Sequence, residues 1–170
     1  MRFVTYRFRE GEARLGLVQD GLAIDVAGLG AAVGCPLPSS MLEFIDLGDI
    51  AIAALAGALA EATPAVLASC SFPEANVRLL APIPRPRKNI FGIGLNYTEH
   101  VAESARALDT SDELPKQPVI FSKPPTAVVA WDDPIRHDAK VTQQLDWETE
   151  LAVVIGWTAR HVAEADAPAH

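Results

Sequence analysis

The sequence predicts an α+β protein in two parts: a small mixed domain, then a second domain dominated by β-structure. Three features carry this reading. Short alternating segments occupy residues 1 to about 26, an Ala- and Leu-rich stretch runs from Asp49 to Thr63, and a proline-punctuated break at 81–87 is followed by a series of short β-rich runs.

The opening segment, Met1-Arg2-Phe3-Val4-Thr5-Tyr6-Arg7, alternates and carries charge, which predicts a strand and not the apolar run of a signal peptide. Leu15-Gly16-Leu17-Val18 and Leu22-Ala23-Ile24 flank Asp20-Gly21, a dipeptide suited to a tight hairpin turn, so the chain begins as a small β-meander. Asp49 to Thr63 predicts a helix capped by Asp49 and ended by Pro64. In Ala81-Pro82-Ile83-Pro84-Arg85-Pro86-Arg87, alternate prolines remove ladder donors and hold the backbone extended. This run marks the boundary between an N-terminal domain over residues 1–80 and a second domain over 86–170. In the second, Asn89-Ile90-Phe91-Gly92-Ile93-Gly94 predicts a buried strand, followed by a helix from Tyr97 to Leu108 with Asn96 and Glu99 spaced as a capping box. Pro118–Phe121 and Thr126–Ala130 predict further strands, and Leu145–Ile155 the longest strand of all.

Composition bounds the function. A chain of 170 residues can hide roughly 70% of its unfolded surface, and 49% hydrophobic with 21% charged residues is ordinary for a globular protein. A net charge of −8 argues against a nucleic-acid partner, because binding phosphates needs cationic patches. The one basic cluster, Arg85, Arg87 and Lys88, sits among prolines and reads as a solvated linker. Cys35 and Cys70 lack metal-site spacing and read as buried free thiols. The longest apolar stretch, Ile50 to Ala60, falls short of the about 20 residues needed to span a bilayer. The expectation is a cytoplasmic protein with neither membrane nor nucleic acid as partner.

Two constellations carry chemistry. Along Leu145-Asp146-Trp147-Glu148-Thr149-Glu150-Leu151-Ala152-Val153-Val154-Ile155-Gly156, a pleated strand would send Asp146, Glu148 and Glu150 to one face and Trp147, Thr149, Leu151, Val153 and Ile155 to the other. Ionised carboxylates at that spacing repel one another, and a bound cation would hold them together; an edge strand with one wet face accounts for the same pattern. Carboxylate oxygens would select a hard ion such as Mg²⁺, Mn²⁺ or Ca²⁺ over zinc. The second constellation follows Gly92-Ile93-Gly94. Tyr97 stands where a dinucleotide fingerprint needs its third glycine, so that motif fails. His100 and Glu103, at i and i+3, share a helix face on which a carboxylate can orient a general base; a solvated His–Glu pair is the plainer reading. Lys123, in Phe121-Ser122-Lys123-Pro124-Pro125, reads as a surface charge at a strand end.

Taken in order, Gly94-Leu95-Asn96-Tyr97 with His100 and Glu103, then Pro118–Pro125, then Leu145–Gly156, the sequence resembles the fumarylacetoacetate hydrolase family over residues 88 to 166. The resemblance implies a mixed β-sandwich or roll-like catalytic domain of the fumarylacetoacetase C-terminal type, after a smaller and more variable N-terminal domain. It implies Mg²⁺ or Mn²⁺ held by Glu148 and Glu150, and His100 with Glu103 as the general-base pair on a helix that closes over the site. It implies a homodimer acting on small keto acids or 1,3-dicarbonyl acids by C–C hydrolysis, decarboxylation, isomerisation or hydration. Asn96 stands where some relatives carry a further acidic ligand and is not assigned to the metal. The family's third acidic ligand and catalytic lysine lie on segments beyond the strand holding Glu148 and Glu150, whereas this sequence ends at His170, so a truncated catalytic domain is expected. Glu164 and Asp166 are expected to be solvated. A catalytically silent structural or ligand-binding module of the same fold is the alternative.

Overall fold

The structure, a computed structural model, describes residues 1–108 and 115–170; within the helix at 98–108 the side chains of residues 103–105, 107 and 108 lie outside that description. It divides into two compact units, one formed by Met1–Ile83 with Ala130–His170 and the other by Pro84–Val129. The first break falls inside the proline run.

The first unit is built on a five-stranded sheet. Strands β1 (Arg2–Arg7), β2 (Arg14–Gln19) and β3 (Leu22–Asp25) form the expected meander, with Phe3 opposite Leu17 and Leu17 opposite Ile24. At the β2–β3 turn, Asp20 and Gly21 both have positive φ, 51° and 75°, the backbone that twists in step with the flanking strands. Two short strands, β4 (Ser71–Pro73) and β5 (Arg78–Leu79), complete the antiparallel order β4-β3-β2-β1-β5.

Four helices follow or interrupt these strands: α1 (Val26–Val33), α2 (Met41–Leu47), α3 (Asp49–Glu61) and α4 (Pro64–Ser69). Of these, α3 is the helix anticipated from composition, but its cap is Gly48, not Asp49, and Gly48 makes no side-chain hydrogen bond. Gly48 adopts φ 52° and ψ −130°, a backbone closed to most side chains, and this lets α2 pass directly into α3. Pro64 does more than end α3. It opens α4 at the first helical turn, where its missing N–H is no loss, with the Thr63 hydroxyl accepting from the Val66 N–H at 3.3 Å.

The core lies between the sheet and the helices. Ala51, Leu55 and Ala58 bring one face of α3 against Leu15, Leu17, Ile24, Val26 and Leu29, and Phe3 meets Phe44 with ring centroids 4.8 Å apart. Cys70 is buried in this cluster, where burial pushes its thiol pKa up, while Cys35 is partly exposed; both thiols are free. The expectation of two buried thiols therefore holds for Cys70 alone.

A polar network sits at the edge of this core. Asp25 is only 7% exposed and caps α1 by accepting from the Gly28 N–H at 2.5 Å. The same carboxylate accepts from the Tyr6 hydroxyl at 2.7 Å and from Arg14 through Nε and, at 2.8 Å, Nη2. Burial by itself raises the Asp25 pKa. The bonds from Arg14, Tyr6 and Gly28 outweigh it and hold the carboxyl below the usual carboxylate range. The stability this contributes is therefore present above the unfolded-state pKa of about 4 and is lost as pH falls through the lower folded value. An Asp25→Ala chain leaves the Tyr6 hydroxyl buried without its acceptor and removes a helix cap. It is expected to lose about 3 kcal/mol at neutral pH and to show a flatter acid limb in urea titrations run from pH 7 to pH 3.

The second unit contains the hairpin-like pair β6 (Ile90–Gly94) and β7 (Val119–Lys123), antiparallel with Gly92 opposite Phe121 and Ile93 opposite Ile120, and the helix α5 (Thr98–Leu108). The strand expected to be buried at 89–94 forms, but it is not buried: Phe91 is 69% exposed, because a two-stranded sheet has no second layer to cover it. Gly92 is required by a close approach. A Cβ there would lie 2.3 Å from the Phe121 ring, so Gly92→Ala is expected to destabilise the pair by about 1–3 kcal/mol, read as faster amide exchange at Ile93 and Ile120 and relieved by a second change, Phe121→Ala.

Residues 126–130 and 145–155, both expected as strands, join no sheet. The former opens with a 3-10 turn, Pro125–Ala127, and the latter is exposed throughout, with Trp147 80% and Leu151 84% accessible. The cause is that a strand is held by a neighbour's N–H and C=O groups, and no described segment pairs with 145–155. A 3-10 helix runs over Glu164–Ala169, and Glu164 and Asp166 are exposed as anticipated. Among the described residues no helix is long and apolar enough to cross a membrane.

Candidate functional site

The residues singled out from the sequence lie some in one unit and some in the other, and each group is described within its own unit. In the second unit, β6 ends at Gly94, Leu95 turns the chain at a φ of +55°, and α5 begins at Thr98. The Val101 N–H donates to the Tyr97 carbonyl at 3.1 Å, closing the first turn, and Val101 is buried at 4% exposure. The expected Asn96–Glu99 capping box takes another form. Glu99 accepts from its own backbone N–H and from the Thr98 hydroxyl at 3.1 Å, and these bonds hold its carboxyl below the usual range. His100 lies beside Val101 in this first turn and is partly buried. Glu103 follows one turn on along α5; its side chain lies outside the described residues, and the expected His100–Glu103 pairing lies outside them with it.

Glu148 and Glu150 belong to the first unit, in the exposed stretch 145–155, and both side chains are open to solvent. Their neighbour Asp146 turns back on the chain and accepts from the Trp147 N–H at 2.8 Å. Among the described residues no group of three or more His, Cys, Asp or Glu is arranged to hold a metal ion. The donor set that 148 and 150 offer, two carboxylates one residue apart on an accessible stretch, has the chemistry of a hard divalent ion, which leaves room in its shell for further oxygen ligands and water.

The second unit holds one charge–aromatic pair that the sequence did not announce. The Lys123 ammonium stands 5.6 Å from the Phe121 ring centroid, so this strand-end lysine packs its charge over an aromatic face. Lys116 and Gln117, between Pro115 and Pro118, also drew no notice in the sequence, yet they line a concavity with Asn96. The available signal was the proline pair that brackets them.

Against known proteins, the family profile described as fumarylacetoacetate (FAA) hydrolase C-terminal matches residues 89–170. Over those residues the chain belongs to the fumarylacetoacetate hydrolase family. The match covers every residue singled out above for metal or proton chemistry. Oxaloacetate tautomerase YisK of Bacillus subtilis is 38% identical over 136 residues, covering 79% of this chain and 44% of that protein. The mitochondrial oxaloacetate tautomerase fahd2 of Xenopus laevis is 36% identical over 173 residues, covering 100% of this chain and 49% of that protein. Among solved structures, a fumarylacetoacetate hydrolase from Exiguobacterium antarcticum superposes with a TM-score of 0.66 at 32% identity, over 99% of this chain and 52% of the other. The chain thus spans about half the length of the fumarylacetoacetate hydrolase family members it matches. The fold is that of the family, mixed α+β, with the N-terminal sheet and helices preceding the matched residues 89–170.

Proposed function

We propose that this chain is part of a divalent-metal-dependent enzyme that acts on a small keto acid, with keto–enol isomerisation of an oxaloacetate-like diacid as its reaction. The observation that carries the reading is the similarity, over 79% to 100% of the chain, to relatives named oxaloacetate tautomerases. C–C hydrolysis or decarboxylation of a 1,3-dicarbonyl acid draws on the same first step and is the second reading, favoured by the likeness to the Exiguobacterium antarcticum fumarylacetoacetate hydrolase.

In this proposal Glu148 and Glu150 would hold Mg²⁺ or Mn²⁺, which when bound supplies the positive charge that polarises a chelated carbonyl and steadies an enolate. His100, oriented by Glu103, would take the proton from the carbon between the two carbonyl groups and hand it to the ketone oxygen to give the enol, with the same transfer run backwards in the reverse direction. Carried on α5, His100 approaches its substrate from a helix anchored at Val101. A homodimer in the cytoplasm goes with this reading.

The test is the rate at which enol oxaloacetate loses its ultraviolet absorbance in the presence of the purified chain. Acceleration that rises with Mg²⁺ or Mn²⁺ and falls with EDTA supports the proposal. A folded chain that leaves the rate at its buffer value at every metal concentration would instead assign it to a silent module of the same fold.

A further inference from the structure

Within the second unit, the end of the β6–β7 pair and the loop before β7 enclose a concavity of about 320 Å³, at the lower end of the range for small-molecule sites. Its walls are residues 93–96 and 115–119. Ile93, Leu95 and Val119 supply apolar surface, while Asn96, Lys116 and Gln117 supply the polar groups. Among the described residues, none of those lining it is acidic. Leu95, in the wall, holds a φ of +55°, a left-handed conformation that a branched apolar residue adopts only under constraint from its surroundings.

We infer that this concavity is a carboxylate subsite, in which Lys116 supplies the charge and the Asn96 and Gln117 side-chain amides donate to the carboxylate oxygens. An ionised carboxylate only accepts hydrogen bonds, whereas a lysine ammonium brings three donors and each primary amide two, so the polar groups of the described lining match that ligand. The choice of ligand rests on the keto acid reading above: a diacid has a second carboxylate besides the one that chelates a divalent ion. Asn96 lies four residues before His100 on the same stretch of chain, so a carboxylate held here belongs to the same substrate-binding unit as the proposed base. The apolar wall of Ile93, Leu95 and Val119 would accept the short carbon chain between the two ends.

The experiment is a titration of the metal-free 170-residue chain, kept in EDTA, with pyruvate, following the side-chain amide signals of Asn96 and Gln117 by nuclear magnetic resonance. Methyl pyruvate serves as the uncharged control and sodium chloride as the ionic-strength control. The subsite predicts saturable shifts at both amides with pyruvate alone, an affinity about tenfold weaker in Lys116→Gln, and near-normal affinity in Lys116→Arg. Absent shifts, equal shifts with the methyl ester or with chloride, or undiminished affinity in Lys116→Gln would overturn it. Because no divalent ion is present, this result is independent of metal-stimulated turnover. A functional tautomerase with silent Asn96 and Gln117 signals would refute the subsite alone, and a working subsite in a chain without metal-stimulated turnover would refute the enzyme reading alone.

Discussion

Replacing His100 with alanine is expected to lower kcat for enol oxaloacetate by about 10²- to 10⁴-fold, the usual contribution of a positioned general base, with KM changed much less. The side chain is partly buried in the first turn of α5, while Val101 beside it holds the helix down, so the substitution removes the base without removing the anchor. Glutamine at the same position keeps much of the bulk but cannot cycle a proton and should be as slow as alanine. Glu103→Gln tests orientation: it should depress kcat with KM changed much less, because the imidazole loses the carboxylate that would aim it. A His100→Ala chain with wild-type kcat would remove this residue from the mechanism and turn attention to water or another base.

A chain with both Glu148→Ala and Glu150→Ala is expected to lose at least about 100-fold in Mg²⁺ or Mn²⁺ affinity by calorimetry, beyond the 10- to 100-fold that follows from losing a mere outer partner of a ligand. Hard divalent ions bind through ionised oxygens, and these two residues are the carboxylates that the family resemblance places on the metal. Both side chains are solvent-exposed, so the substitutions remove no core packing and the fold should survive them, which a circular dichroism melt can verify. Full metal affinity in the double variant would show that other oxygens hold the ion. Retained affinity in Glu148→Ala alone would count against that residue and leave Glu150 to be tested by itself.

Much of the N-terminal fold was legible residue by residue. The alternation through Phe3, Thr5 and Leu17 and the Asp20-Gly21 turn encode a hairpin within about twenty residues, so a local pattern was enough. Helix α3 was legible because Ala and Leu favour helix at nearly every position. Helix α1 was not: its sequence, Val-Ala-Gly-Leu-Gly-Ala-Ala-Val, carries two glycines, and it forms because Asp25 caps it and because Val26 and Leu29 are fully buried. The segment at 145–155 failed in the opposite direction. Its β-branched residues and alternation describe a strand well, yet pairing is a property of two segments, and its own residues report only one.

The candidate site divides along the same line. The order of Gly94-Leu95-Asn96-Tyr97, His100, Phe121-Ser122-Lys123-Pro124-Pro125 and the Glu148–Glu150 pair is written in the chain, and it sufficed to point to the family that residues 89–170 match. Which carboxylate is buried could not be read that way. Asp25 looks like any acidic residue after a strand, but the fold brings Tyr6 and Arg14 to it from two other strands and makes it a structural anion. Lys116 likewise comes to line one concavity with Asn96 only because the β6–β7 pairing brings its loop up to that residue. Composition, periodicity and motif order are properties of neighbours along the chain, so the sequence by itself determined the N-terminal meander, helix α3 and the family. Desolvation, strand pairing and the convergence of donors on one cavity depend on contacts between residues far apart in sequence, and those only the tertiary structure decided.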